Sequence, residues 1–531
     1  MDKIRIKNLR SLEDTGEVAI RPLTVLVGRN SSGKSTFLRF FPLMKQTIET
    51  RTNEPILWYS SRYVDFGSFR ESLNYKNTGE AISFEFEFRL PRNYVKLEVH
   101  AYTMYRYRMN KQLLERETEE FFNFKIKVEC KEKFIEKMVI HFEDHIIKMS
   151  FKNKDKLSEF SINDREYDPG LFVTDYSRNQ VDFLPKITFK ESESIHYSKE
   201  YFTDLLFNQL KEMAYISTSK TTIMAMIENV FIGDSEQILE NFKTQNTTAQ
   251  KLLENLNNLN LEDDSFKSLK NNILGTHLNR LIALCNKYIE VNFSKVRYIA
   301  PLRASAERYY RIQGVSVDEI DPQGANIPMM LHNMGDNKDR EEFNKWIDLN
   351  FGFKITTSLE GGHTSLKIKY SDGDQEINLA DTGFGYSQIL PIILVLWQTI
   401  HKKRKLQRLT SRSRMKEQVE NSVYKVVIEQ PELHLHPAVQ AKLIDTFVQL
   451  IIKAQETKID LKIIIETHSE TMLNRIGYLI AKKQYGFHKD LVNVILFNKI
   501  DAYHTSLEST GYSEKGQLIK WPIGFFSPED F

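Results

Sequence analysis

The chain has 531 residues, of which 41% are hydrophobic and 27% charged, and a net charge of +2. That length exceeds one compact core and points to roughly two or three domains. The near-zero charge excludes a global basic field, so any nucleic-acid binding has to come from a local patch. Cys130 and Cys285, the two cysteines, make neither a disulfide framework nor a Cys-x-x-Cys metal site, and they fit a reducing cytoplasm. The longest apolar stretch, Ile389–Trp397, contains a proline and falls well short of the roughly 18 residues of a membrane span, so no membrane association is expected. The first residues, Met1–Ile6, alternate like a strand and carry no apolar signal-peptide core.

In chain order, residues 1–45 read as strand, turn, strand, glycine-rich loop and helix. Leu23–Val27 is a short strand of buried type bounded by Pro22 and Gly28, and Phe37–Phe41 opens the helix. Residues 81–190 hold several strand-like segments, of which Ile82–Phe88 alternates most cleanly. Residues 199–290 change character. Leu206, Leu210, Met213, Leu239, Phe242, Leu252 and Leu256 recur at helical intervals without sustained heptads, which predicts a helical insertion rather than a long coiled coil. From about residue 295 the β/α pattern returns, and Val426–Ile428 and Ile463–Ile465 are apolar strands that each run into an acidic residue. The expected organisation is therefore an N-terminal lobe at 1–90, a β-rich extension at 91–198, a helical insertion at 199–294 and a C-terminal lobe at 295–531.

Gly28-Arg29-Asn30-Ser31-Ser32-Gly33-Lys34-Ser35 fits the pattern Gly-x4-Gly-Lys-Ser/Thr in full, with a strand before it and a helix, beginning near Thr36, after it. Glycines let such a loop curl so that backbone N–H groups converge on phosphate oxygens, and the helix adds its positive end. Lys34 is then placed for the β- and γ-phosphates of ATP and the Ser35 hydroxyl for Mg²⁺. Further along, Val426–Ile428 delivers Glu429, a candidate acid for the Mg²⁺ hydration shell. Gln430 follows where a general base would polarise water; it can orient a water but cannot take a proton. Glu432, two residues on, is a candidate substitute. Ile463–Ile465 leads to His468, placed to hydrogen-bond a γ-phosphate. Gly383, Gly385, Ser387 and Gln388 lie just before an apolar helix and make a second anion-binding end. One nucleotide has little use for two cradles. A second copy facing head to tail would use this one to cover the first copy's γ-phosphate.

The order of these motifs resembles the ABC-type ATPase heads of the SMC, RecF and OLD-like families, and most closely the AAA-type ATPases of prokaryotic anti-phage defence, Septu and retron-associated PtuA-like. The resemblance covers about residues 1–90 and 295–531. It implies an α/β fold, an ABC-type P-loop ATPase head with an inserted mixed β and mainly helical arm region. It assigns Gly28–Ser35 to the Walker A loop, Gly383–Gln388 to the signature, Glu429 to the Walker B acid, His436 to the D-loop and His468 to the switch. The tail Trp521–Phe526 resembles the closing motif of these ATPases, and Asp65 is a candidate for the Q-loop region, a plain turn being the alternative. The sequence departs from the family in two places: the signature is not Leu-Ser-Gly-Gly-Gln, and Gln430 replaces the usual glutamate. The stretch after His468 is also too short for a nuclease domain of the OLD type and lacks an acidic cluster for one, so nuclease activity is expected from a partner of HNH type.

Residues 401–416 carry eight Lys/Arg and no acid. The tract reads either as a grip on DNA or RNA phosphates or as a solvated helix end. Arg303 reads as a nucleotide or interface contact or as a surface ion pair, and the His434–His436 pair alone does not make a metal site. The resemblance implies a slowly hydrolysing, dimerising ATPase that gates a partner nuclease in anti-phage defence, with a RecF-like ATPase acting on DNA directly and a nucleotide-locked scaffold with little turnover as the alternatives.

Overall fold

The computed structural model describes residues 1–99, 120–175, 182–191, 194–312, 319–334, 337–401, 423–501 and 503–520. The chain forms two units. The first comprises Met1–Asn8, Thr47–Ile56 and Asn77–Glu290, and the second Leu9–Gln46, Leu57–Lys76 and Val291–Phe531.

The second unit is organised by six strands: β1 (Leu23–Gly28), β2 (Val296–Ile299), β3 (Val423–Glu429), β4 (Asp460–Glu466), β5 (Val492–Lys499) and β6 (Thr505–Thr510). Their order across the sheet is β2-β3-β4-β1-β5-β6. The first five run parallel and β6 is antiparallel to β5. All six residues of β1 are buried, which is why this strand and the apolar runs of β3 and β4 read as continuous rather than alternating: a parallel strand covered on both faces has no solvent side. The helices that bear on the site include α1 (Lys34–Glu49), α2 (Phe384–His401), α3 (Pro437–Glu456) and α4 (Glu470–Ala481). Val25 and Val27 of β1 join one core with Ile392 and Ile393 of α2, Phe447 of α3 and Ile476 of α4. On the alternate face Phe37 of α1 meets Phe497 of β5 at 5.9 Å. The carboxyl ends of β1, β3 and β4 therefore lie side by side, at the edge where ligands of open parallel sheets are bound.

Local chemistry fixes the helix starts. Ser469 caps α4 by accepting from the Met472 N–H at 3.1 Å, and His436 caps α3 by accepting from the Ala438 N–H through Nδ1 at 3.2 Å, with Pro437 opening the helix. The apolar stretch Ile389–Trp397 is the buried middle of α2. A separate antiparallel sheet built on Phe353–Glu360 and His363–Tyr370 sits against the start of this helix, with the Phe353 and Tyr386 rings 5.1 Å apart.

In the first unit, Lys3–Leu9, Ile82–Pro91, Phe121–Cys130, Ile135–Phe142, His145–Phe151, Leu157–Ile162 and Arg165–Glu166 form an antiparallel run of neighbouring strands. Ile82–Phe88 alternates in sequence, yet its Ser83 and Glu85 are buried too, and Glu85 pairs with Lys125 of the next strand at 3.4 Å. Five helices follow: Ser198–Glu212, Lys220–Asn229, Ser235–Lys243, Gln250–Asn257 and the 31-residue Asp264–Ser294. Among the described residues no helix is long and apolar enough to cross a membrane.

Candidate nucleotide site

The loop leaving β1 is shaped by close approach. A Cβ on Gly28 would lie 2.6 Å from the Phe497 carbonyl oxygen, so only glycine fits there. Ser31 and Gly33 take positive φ of 58° and 85°, which turns successive N–H groups toward one concavity. Arg29, Asn30 and Ser31 are exposed, Gly33, Ser35 and Thr36 are half-buried, and Ser32 is fully buried with an Oγ that has no hydrogen-bond partner. Lys34 is buried, and its Nζ donates to the carbonyl oxygens of Gly28 at 2.9 Å and Arg29 at 2.8 Å. Burial holds its pKa below the usual lysine value, against the pull of Glu466 and Glu432.

Two glutamates end adjacent strands in register, Glu429 on β3 and Glu466 on β4. Their environments differ. The Ser35 hydroxyl donates to Glu466 Oε2 at 2.7 Å, and Lys34 Nζ lies 3.8 Å from Glu466 Oε1. Glu429, the acid expected beside Ser35, is instead gripped by Arg39, whose Nε and Nη2 donate to its two oxygens at 2.7 and 2.9 Å, and by the Tyr298 hydroxyl at 2.6 Å. Burial, then the neighbouring Glu429, raises the Glu466 pKa.

Gln430 adopts a positive φ of 43°, and its N–H donates to the Glu466 carbonyl oxygen at 2.8 Å. Glu432 is committed elsewhere: it accepts from the Thr467 hydroxyl at 2.9 Å and the His468 N–H at 2.7 Å, so it pins the loop that follows β4. Burial raises its pKa. His468 is pushed down to about 4 by burial and then by Lys34, so its imidazole is neutral at neutral pH. Arg303 is buried rather than on the surface. Its Nη2 donates to the backbone oxygens of Glu429 at 2.8 Å and Gln430 at 3.3 Å, and burial lowers its pKa to about 10.

Part of this set opens onto a cavity of about 850 Å³, whose lining includes Gln430 and Glu466 but not Glu429, Glu432, His468 or Arg303. Residues 30–36 line it together with Asp65, Gly67 and Arg10, whose guanidinium lies 4.5 Å over the Phe66 ring. The rings of Tyr75 and Tyr503, also on the lining, are 5.5 Å apart. The volume, the curled loop, the buried lysine and the orphaned Ser32 hydroxyl suit a nucleoside triphosphate with a hard divalent cation.

The second anion-binding element stands apart from this cavity. Gly383, with φ of 81°, precedes α2; Ser387 Oγ donates to the Phe384 carbonyl at 2.8 Å, and Gln388 Nε2 to that of Arg303 at 3.4 Å. A Cβ on Gly385 would lie 3.2 Å from the His434 carbonyl oxygen, and the Phe384 and His434 rings are 6.1 Å apart. The signature segment thus meets His434, two residues before His436, and none of Gly383–Gln388, His434 and His436 is on the lining of the chain's own cavity. Residues 402–416 of the basic tract and Trp521–Phe526 lie outside the described residues.

A parallel sheet with a P-loop at one strand end, paired acids beside it and helices on both faces defines a P-loop ATPase. The chain belongs to the AAA ATPase domain family, whose model matches residues 1–473. No curated protein matches the chain. Among solved structures, an SMC head bound to the C-terminal winged-helix domain of ScpA is 10% identical, with 96% of this chain and 97% of that one covered and a TM-score of 0.31. The SMC head domain from Thermotoga maritima is 8% identical, with the same coverage and a TM-score of 0.32. The recombination mediator RecF is 10% identical over 95% of this chain and 97% of that one, at 0.23. Likenesses this distant add nothing to the assignment, which rests on the family match and the site.

Proposed function

We propose that the chain is an ATP-binding, slowly hydrolysing ATPase of ABC type whose heads pair around ATP and Mg²⁺ and gate a partner nuclease in anti-phage defence. The observation that carries the pairing is that the second phosphate-binding element does not serve the first: neither Gly383–Gln388 nor His436 is on the lining of the cavity that Lys34 lines. A second head placed against the first would bring its signature segment over the first head's γ-phosphate. The defence role and an HNH-type effector rest on the sequence resemblance alone.

In this account Lys34 exchanges its two neutral loop carbonyls for phosphate oxygens, which as charged acceptors bind it more strongly. Backbone N–H groups of the loop and the start of α1 hold the β-phosphate. Mg²⁺, when bound, would supply positive charge to the phosphate oxygens; Ser35 and Glu466, whose Oε2 accepts from the Ser35 hydroxyl, are the groups placed to hold it. Gln430, on the cavity lining, orients the attacking water without accepting its proton. General-base catalysis is worth about 10²–10⁴-fold, so its absence at this position favours slow turnover and a persistent ATP-bound state. Sizing the full chain with and without ATP and Mg²⁺ tests the pairing, and a single-turnover assay tests the slow chemistry.

A RecF-like ATPase acting on DNA directly is the second reading, and the eight basic residues of 401–416 favour it. Reversing Lys402, Lys403, Arg404 and Lys405 to Glu would weaken salt-sensitive binding of DNA or RNA. No binding by the parent chain at low salt would remove this reading's main support. The third reading, a scaffold locked by nucleotide, would show pairing with no turnover at all.

A further inference from the structure

We infer that Glu466, and not Glu429, is the carboxylate that holds the metal of the phosphate-binding loop, and that Glu429 acts as a positioning residue. This rests on the reading that the cavity binds ATP. The two glutamates end neighbouring strands at the same level, and the sequence pattern points to Glu429. Their surroundings separate them.

Glu466 reaches the loop. Its Oε2 accepts from the Ser35 hydroxyl at 2.7 Å, its Oε1 lies 3.8 Å from Lys34 Nζ, and it lines the cavity. A hydroxyl and a carboxylate oxygen at hydrogen-bond distance beside a triphosphate pocket are hard oxygen donors of the kind Mg²⁺ takes, directly or through its waters. The Ser32 hydroxyl, fully buried and without a partner on the same lining, is independent evidence that these walls are completed by a polar ligand. Glu429 is spent. Arg39 holds both of its oxygens in a two-pronged contact, Tyr298 adds a third bond at 2.6 Å, and the side chain is 2% exposed. Turning it toward a metal would leave the Tyr298 hydroxyl and the guanidinium without their acceptor. Glu429 instead anchors α1 to β3 through Arg39, and so fixes where the helix presents Ser35. Glu466 has a second connection: its carbonyl oxygen accepts the Gln430 N–H at 2.8 Å, so the metal and the water-orienting glutamine are tied to one residue.

The test is Mn²⁺ binding to the full chain in the presence of ATP, followed by electron paramagnetic resonance, with ATP affinity measured in parallel with and without metal. Glu466→Gln is expected to keep metal-free ATP affinity while weakening Mn²⁺ binding by roughly 10–100-fold, the range typical for losing a group that supports a metal's ligands. Glu429→Gln is expected to weaken Mn²⁺ binding far less than Glu466→Gln does, through the placing of Ser35 alone, and to lower the melting temperature. Unchanged Mn²⁺ affinity in Glu466→Gln overturns the inference, as does an equal loss in both variants. Should Glu429→Gln fail to fold, Glu466→Gln decides alone, with its own melting curve as the control. Failure of the parent chain to bind ATP in any condition overturns the nucleotide reading itself, which is a different result from loss of metal in a chain that still binds ATP.

Discussion

The Ser35 hydroxyl donates a 2.7 Å hydrogen bond to Glu466 Oε2, across a separation of 431 residues. That contact joins the phosphate-binding loop to the strand between β1 and β3. The same strand leads into the Thr467–His468 loop that Glu432 pins. The acids, the glutamine and the histidine of the site are therefore one connected set, and each can be tested by a single change.

Removing the Lys34 ammonium should remove ATP binding and leave the fold. Two charge-assisted bonds to phosphate, at about 1.5–3 kcal/mol each, correspond to a loss of about a hundredfold or more in Kd. A titration of Lys34→Ala with ATP checks this, beside a melting curve. Unchanged affinity would mean that the curled loop serves another ligand.

Gln430→Glu should speed hydrolysis, because it restores a proton acceptor on the cavity lining. The gain is bounded by the about 10²–10⁴-fold typical of general bases. Glu432 separates two possibilities. If it is the substitute base, Glu432→Gln abolishes turnover. The bonds it accepts from Thr467 and the His468 N–H predict instead that Glu432→Gln, which keeps an acceptor oxygen, retains most activity. Glu432→Ala should then destabilise by about 1–3 kcal/mol through an unsatisfied buried N–H, with slower turnover. Steady-state rates and melts of the three variants distinguish the cases.

Lys425, fully buried in β3, donates to Asn292 O and Oδ1 at 3.0 and 2.7 Å, and burial lowers its pKa to about 7 from 10.5. Between those values the unfolded chain holds a proton that the folded chain does not. Stability from this group therefore rises with pH across the window and falls as pH drops toward 7. Melting temperatures of the parent and Lys425→Met, taken at both ends of the window, should show the parent gaining on the variant as pH rises. A difference independent of pH would contradict the assignment.

The strand, loop and helix at 23–49 were legible in sequence because the loop's glycines, its lysine and the flanking apolar runs are all local. Strand ends at Glu429 and Glu466 were legible for the same reason. Which carboxylate faces Ser35 was not, since both strands end alike and only their order in the sheet, with β4 placed next to β1, decides it. The grip of Arg39 on Glu429 spans 390 residues and leaves no local trace. The burial of Arg303 beneath the Glu429 and Gln430 carbonyls was hidden likewise, because a lone arginine after a short strand is usually exposed. Pairing of Lys3–Leu9 with Ile82–Pro91 is another nonlocal fact: alternation marked each as a strand but not as neighbours.

The central claim is that one head's phosphate site is completed by another. Its most direct test is the mass of the full chain in solution by light scattering, with ATP and Mg²⁺ and without, for the parent and for Ser387→Arg. Ser387 is 6% exposed at the start of α2, so the variant's melting curve must first match the parent's. The account predicts that ATP and Mg²⁺ shift the parent to a dimer or larger assembly, while the variant binds ATP equally well and stays a monomer. A parent chain that remains monomeric with saturating ATP and Mg²⁺, or a variant that pairs as the parent does, would contradict it.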